Sequence, residues 1–431
     1  MTDREKIESR SRDPITPLRD KLIIFEALLF TQQRIWLYGS GAVVAYVIGL
    51  VARFLTHSWI FQADDKPSCI DFSHFWVSGA LAGSRDPALV YDFATFSVTR
   101  TDLGGIDVCM VMNHFVYPPT YLFFTYPLGL MPYVPAFSVW TVVTLLLYLG
   151  AIYLILPRPI AILAALSAYP VFFNFFLGQN GFLLAGLMGV SLALLERRPR
   201  LSGILLGLLT FKPQIGNLFP FALLVSRKWR VIVSAMATSM VLIVASMLVF
   251  GYQGWPSFIH ALADRESSLS PISQESMRLE SAYGFLWLAG LSPPIAWAIQ
   301  LAAAGAVATV VCWVWARPLP HSLKAAALCG ATPMATPFVH GHDLCVLAIA
   351  VAFLVKGGLA RGFLPGDRLI VLFSWIVMFL GFRDFSSGWI PCLALLALVV
   401  RRMRDRPGSN FLARVEFRRF YRLVRIASRG I

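Results

Sequence analysis

The chain has 431 residues, of which 57% are hydrophobic and 14% charged, with a net charge of +14. Soluble domains carry roughly 25% charged residues, so a soluble surface cannot be covered and the class is membrane-embedded. The positive charge is uneven: from Arg401 onward ten arginines face two acids, which beside a membrane helix reads as a tail lying on anionic lipid rather than as a nucleic-acid surface.

Residues 1–35 are polar at their start, lack a small-residue cleavage pattern and read as a cytoplasmic segment. A first span is predicted near Trp36–Ile60. Apolar blocks such as Leu201–Val225 and Val231–Phe250 are long enough to cross ~30 Å of hydrocarbon. They are helical because lipid leaves backbone groups unsatisfied and because the alternation of a β-barrel is missing. Residues 61–135 form a long first outer loop, where Asp64, Asp65, Asp71, Asp86, Asp92, Asp102 and Asp107 outnumber Lys66, Arg85 and Arg100. Two amphipathic stretches in it, Asp71–Ala82 and Ala88–Leu103, are predicted to lie along the membrane surface. Tyr117–Pro132 is apolar, but Pro118, Pro119, Pro127 and Pro132 argue for a re-entrant or interfacial segment over a straight span.

Further along, Ala136–Leu156, Ile160–Leu177 and Gly181–Leu195 cross in turn and lead to the cytoplasmic cluster Arg197-Arg198-Pro199-Arg200. The next hairpin turns outside at Phe211-Lys212-Pro213-Gln214 and returns to Arg227-Lys228-Trp229-Arg230. Residues 251–283 form a second outer loop. Later spans turn outside at His340-Gly341-His342-Asp343 and again at Arg383-Asp384. The predicted fold is an all-α polytopic membrane protein with roughly twelve crossings over residues 36–400, a basic cytoplasmic tail over 401–431, and both termini inside. This map gathers Asp71, His74, Gln179, Asn180, Lys212, Gln214, His340, His342, Asp343 and Arg383 at the outer face, where an ionisable residue at membrane depth marks a functional site.

Cys312, Cys329, Cys345 and Cys392 fall in apolar runs and read as core residues. Cys69 and Cys109 share the first outer loop, where an oxidising compartment would allow a disulfide. Without a CxxC pair, thiolate zinc is not expected.

Several residues admit two readings. Asp71 could cap its helix, or serve as a general base that takes a proton from an acceptor hydroxyl. Lys212 sits between apolar stretches and could snorkel, or hold a lipid phosphate as a point charge. Tyr117-Pro118-Pro119 could be a rigid loop end, and Gly178-Gln179-Asn180-Gly181 a turn between spans. His340, His342 and Asp343 could bind a divalent metal, form a hydrated loop, or orient an acceptor beside Asp71.

These residues occur in a suggestive order: Asp71, Tyr117-Pro118-Pro119, Pro127-Leu128, Gly178-Gln179-Asn180, Gly203 and Gly207 before Lys212-Pro213, then Thr336-Pro337 to His340-Gly341-His342-Asp343. Over roughly residues 65 to 350 the chain resembles glycosyltransferase family 87. The resemblance implies a GT-C-like fold with juxtamembrane helices in the first outer loop. It also implies sugar transfer, mannose favoured, from a polyprenyl-phosphate donor to a lipid or glycan hydroxyl on the extracytoplasmic face of the plasma membrane, with inversion. In that scheme Asp71 is the catalytic base and His342, with His340 as fallback, the important late histidine. Lys212 and Arg383 hold the phosphate; His74, Tyr117, Gln179, Asn180, Gln214 and Asp343 line the substrate site. No metal or other cofactor is expected. The rival readings are a transporter or lipid flippase, which would show inverted repeats and midplane sites, and a non-catalytic polysaccharide-assembly subunit.

Overall fold

The computed structural model describes residues 15–63, 66–68, 70–104, 115–268, 279–380 and 386–404, and the regular elements among them are helices. Cys69, Cys109 and Arg383 lie outside the described residues, as does the chain beyond residue 404.

Five helices are long and apolar enough to cross a membrane: Gln32–Leu55, Tyr133–Ile155, Trp229–Phe250, Pro293–Trp315 and Gly341–Arg361. A sixth crossing results if Pro159–Leu166 and Tyr169–Leu177, bent by 65° at their junction, act together. Pro170 causes that break, because proline in the first turn of the second helix has no N–H to bond the preceding turn. Shorter apolar helices occupy Gly181–Leu194, Pro199–Phe211 and Pro213–Val225. Val233, Met236, Met240, Val241 and Leu248 on Trp229–Phe250 are exposed; an apolar face of that extent is stable in lipid and not in water.

Tyr117–Pro132 contains a 3-10 turn at Pro119–Tyr121 and an eight-residue helix, Leu122–Gly129, with Pro127 inside it. Eight residues rise only ~12 Å, too little to traverse the hydrocarbon core. The first outer loop supplies the helices Phe72–Ala82 and Phe93–Gly104, joined through a 3-10 turn at Pro87–Tyr91. Phe72–Ala82 is buried along most of its length, with Phe72, Phe75 and Val77 almost fully covered.

The Gly203 and Gly207 spacing has a packing cause. A Cβ on Gly203 would stand 2.4 Å from the Val231 carbonyl oxygen, and one on Gly207 2.5 Å from Thr238 Cβ. The two glycines let the helix Pro199–Gly207 approach Trp229–Phe250 at backbone distance, the small-residue packing that replaces hydrophobic force inside lipid.

The helix Cys345–Arg361 runs through the core, with Val346, Leu347, Ile349 and Phe353 buried. At ~1.5 Å per residue it separates its two ends by about 25 Å. Past its far end, buried Asp367 is bonded by Arg401, which stays exposed, and by Arg402, whose side chain is largely covered.

Candidate active site

Asp71 occupies the N-cap position of Phe72–Ala82, yet its side chain makes no capping hydrogen bond. Its Oδ2 instead accepts from Gln179 Nε2 at 2.9 Å. The local conformation of Gly178 makes this contact available. It ends the helix Tyr169–Leu177 with φ of +65°, which glycine adopts without strain, and its carbonyl accepts from Trp140 Nε1 at 2.9 Å.

From Gln179 the polar contacts continue inward. The Asn180 N–H donates to Gln179 Oε1 at 3.2 Å, and Asn180 Nδ2 lies 3.4 Å from the Tyr121 hydroxyl. Lys212 Nζ donates to Asn180 Oδ1 at 3.2 Å and to Asp343 Oδ1 at 2.6 Å. Lys212 and Asp343 are both buried, so each charge compensates the other away from water. Asp343 Oδ2 accepts the His340 N–H at 3.2 Å. His342 Nε2 stands 3.6 Å from Asp343 Oδ1, beyond hydrogen-bond length. The His340 and His342 rings stack in parallel, 5.4 Å apart at 4°.

Gly181 seats the two loops against each other. A Cβ there would fall 2.1 Å from the His342 carbonyl oxygen, so only glycine permits the approach. Its N–H is held by Asn174 Oδ1 at 2.7 Å. Tyr117 stacks on Tyr121 with ring centroids 4.5 Å apart. Burial pushes the Tyr117 phenol up; Lys212 and an Asn180 hydrogen bond partly oppose this, while Asp343 and Asp71 reinforce it.

The histidine loop is tied to another element as well. Glu280 N–H donates to the Val339 carbonyl at 2.8 Å, and the Glu280 carboxylate accepts the N–H groups of Ser387 and Gly388 at 3.0 and 2.8 Å. Burial pushes the Glu280 carboxyl up to about 7, against the opposing effect of those two bonds.

The structure thus assembles Asp71, Tyr117, Gln179, Asn180, Lys212, His340, His342 and Asp343, drawn from positions far apart in sequence. Gln214 lies in the short turn after Lys212, and its side chain makes no hydrogen bond among the described residues. His74, one turn after Asp71, faces Arg100 Nη1 at 3.4 Å. Sequence reasoning missed Tyr121, Asn174 and Arg100. Tyr121, four residues after Tyr117 and just past the proline pair, carried a usable signal, because the 3-10 turn stacks the two rings. Asn174 and Arg100 carried none that a single sequence exposes.

His340, His342 and Asp343 offer ligand atoms within 4.8 Å of one another. A dication bound there would share the Asp343 carboxylate with the Lys212 ammonium, 2.6 Å from one of its oxygens, and like charges at that range repel strongly in a dry site.

A chain whose described elements are helices, several of membrane length, with a buried polar network at one end of the core helix Cys345–Arg361, is an integral membrane protein with its candidate chemistry at the bundle's end. It belongs to glycosyltransferase family 87, whose model matches residues 115–337, and is therefore a membrane glycosyltransferase. No curated protein and no solved structure matches the chain. The matched stretch contains Tyr117, Gln179, Asn180 and Lys212. Asp71 and the His340–Asp343 loop lie outside it and join the same network through hydrogen bonds.

Proposed function

We propose that the protein transfers a sugar, mannose favoured, from a polyprenyl-phosphate donor to a hydroxyl of a lipid or glycan acceptor at the extracytoplasmic face of the plasma membrane. The termini are cytoplasmic in this reading, with roughly twelve crossings over residues 36–400. Asp71 carries the proposal. It is a half-buried carboxylate whose side-chain partner among the described residues is a neutral amide on Oδ2 rather than a cation, which leaves Oδ1 to meet an acceptor hydroxyl.

The acceptor oxygen attacks the anomeric carbon as the bond to the phosphate oxygen breaks. Asp71 takes the hydroxyl proton, and the lipid phosphate leaves with the bonding pair. One carboxylate suffices for this single displacement with inversion. The other carboxylate of the network, Asp343, is engaged by Lys212 and the His340 N–H and is not placed to act as a nucleophile. Lys212 ties Asn180 to Asp343 and lends positive potential to the site, with Arg383 the second cation for the phosphate. His342 orients the acceptor or donor. Catalysis needs no metal in this reading, because the charge a metal would supply beside Asp343 is supplied by Lys212.

The test is transfer by purified protein from a panel of radiolabelled polyprenyl-phosphate sugars to a total lipid and glycan extract. Wild type forms product and Asp71→Asn does not. Equal turnover by the two proteins removes Asp71 from the role of base. Movement of labelled lipid across sealed vesicles without product would favour a flippase instead.

A further inference from the structure

Arg100 is a buried cation that the network above does not use. It sits on the helix Phe93–Gly104 with 6% of its surface exposed. Its Nε has no hydrogen-bond partner, and among the described residues no carboxylate lies within 4.0 Å of the guanidinium. Its hydrogen-bond contact is Nη1 to His74 Nε2 at 3.4 Å. A guanidinium stays charged at any physiological pH, and one removed from water without an anion is disfavoured. Burial pulls the Arg100 pKa down accordingly.

The surroundings hold the group in place. His74 stacks on Phe96, one turn before Arg100, with ring centroids 5.7 Å apart at 26°. Asp71 and His74 are three residues apart at the start of one helix, a spacing that puts them on the same face about 4.5 Å apart along the axis. The Tyr133 phenol lies within electrostatic reach of both Asp71 and Arg100, and its hydroxyl is anchored to the Ser68 carbonyl at 3.1 Å. A buried guanidinium with an unfilled donor, held against a histidine that shares a helix start with Asp71, matches a substrate whose anionic group and reacting carbon are joined by one ester oxygen.

We propose that Arg100, supported by His74 one helical turn from the base Asp71, binds the phosphate ester of the lipid-linked donor. The assignment rests on the transferase reading above and adds to it the residue that seats the donor's charge. Arginine suits the role because its fork can bond two phosphate oxygens at once. Lys212, by contrast, already has a buried carboxylate partner. Phosphate esters occur both in the donor and in bulk anionic phospholipids, so the experiment separates the two sources.

Full-length protein in detergent is titrated with polyprenyl phosphate, with polyprenol of the same length, and with phosphatidylglycerol as competitor. Wild type is expected to prefer polyprenyl phosphate over polyprenol by about tenfold or more, the effect of a charge-assisted bidentate contact. Arg100→Gln loses that preference, and Arg100→Lys, which keeps the charge without the fork, falls between. Phosphatidylglycerol in equal amount does not displace the ligand. An unchanged preference in Arg100→Gln overturns the proposal. Should that variant fail to fold, an unchanged preference in Arg100→Lys overturns it equally. Competition by phosphatidylglycerol overturns the donor assignment and gives the site to a phospholipid headgroup. Binding that depends on Arg100 without sugar turnover by wild type would defeat the transferase reading and leave the anion site standing. Turnover with an unaltered donor KM in both variants would do the reverse.

Discussion

Two acidic sites lie toward opposite ends of the bundle, one buried and one half-buried, and they use their carboxylates differently. Asp367 accepts the Leu364 N–H at 2.7 Å through Oδ2, binds Arg401 at 3.1 Å through Oδ1, and is bonded by Arg402 as well. Close by, Glu26 accepts the N–H groups of Arg368 and Leu369 at 3.1 and 3.2 Å, which ties the first described helix, Ile15–Leu29, to the start of Asp367–Leu380. Every oxygen of Asp367 is engaged by a cation or a helix end, which makes it a structural clamp. Asp71 also stands at a helix start, yet it leaves its cap unmade and bonds a neutral amide. Both oxygens of Asp367 are held, whereas among the described residues only Oδ2 of the Asp71 side chain is bonded, which leaves Oδ1 for a substrate hydroxyl. The contrast separates a group that holds the fold from one that can do chemistry.

The largest expected effect divides these two residues. Asp71→Asn lowers kcat by roughly 10²- to 10⁴-fold, the usual contribution of a general base, while thermal unfolding of the purified protein stays where it was. Asp367→Asn does the opposite. It destabilises by about 3 kcal/mol because it strands the covered Arg402 guanidinium, while Arg401 stays in solvent, and the activity of each folded molecule persists. A fall in Tm for Asp71→Asn equal to that for Asp367→Asn would erase the distinction.

Lys212 and Asp343 place an Asp367-like clamp inside the candidate active site. Lys212→Met should cost about 3–5 kcal/mol by leaving Asp343 buried without its cation. Replacing Asp343 by Leu in the same molecule should restore most of that stability and none of the activity. A double variant that regained turnover would show the pair to be structural only.

Glu280 falls between the two cases: it holds backbone N–H groups, and among the described residues no cation is bonded to it. Its carboxyl is raised to about 7 in the folded protein from an ordinary value of 4.5. The folded state therefore binds the proton more tightly than the unfolded chain. Stability contributed by this group is full below pH 4.5 and falls as pH rises toward 7, by at most a few kcal/mol. Glu280→Gln, which still accepts both bonds, should flatten the Tm-against-pH curve across that window. A slope identical to wild type would assign the dependence elsewhere.

The smallest effect tests orientation alone. Gln179→Ala removes the hydrogen bond that directs Asp71 among the described residues, and a contact of this kind is worth about 0.5–1.5 kcal/mol. A kcat reduction of roughly two- to tenfold with little change in Tm is expected. A loss as deep as that of Asp71→Asn would make Gln179 part of the chemistry rather than a guide for it.

Residue order alone determined the class of molecule and much of its site. Apolar runs with so little charge can only be membrane helices, because backbone groups in lipid must bond within their own segment. Gly178 and Gly181 marked a turn because few residues other than glycine tolerate such backbone geometry and contact. Lys212 stood out because a lone cation between apolar stretches needs a partner. The identity of that partner, Asp343, came only from the fold, since the two meet across 131 residues of chain. The same holds for the unmade cap of Asp71, for the helix packing behind Gly203 and Gly207, and for Arg100, which in the sequence is one positive charge in an acidic loop. Sequence shows which groups are costly to bury; tertiary structure decides which of them are compensated, because compensation depends on distances that chain order does not encode.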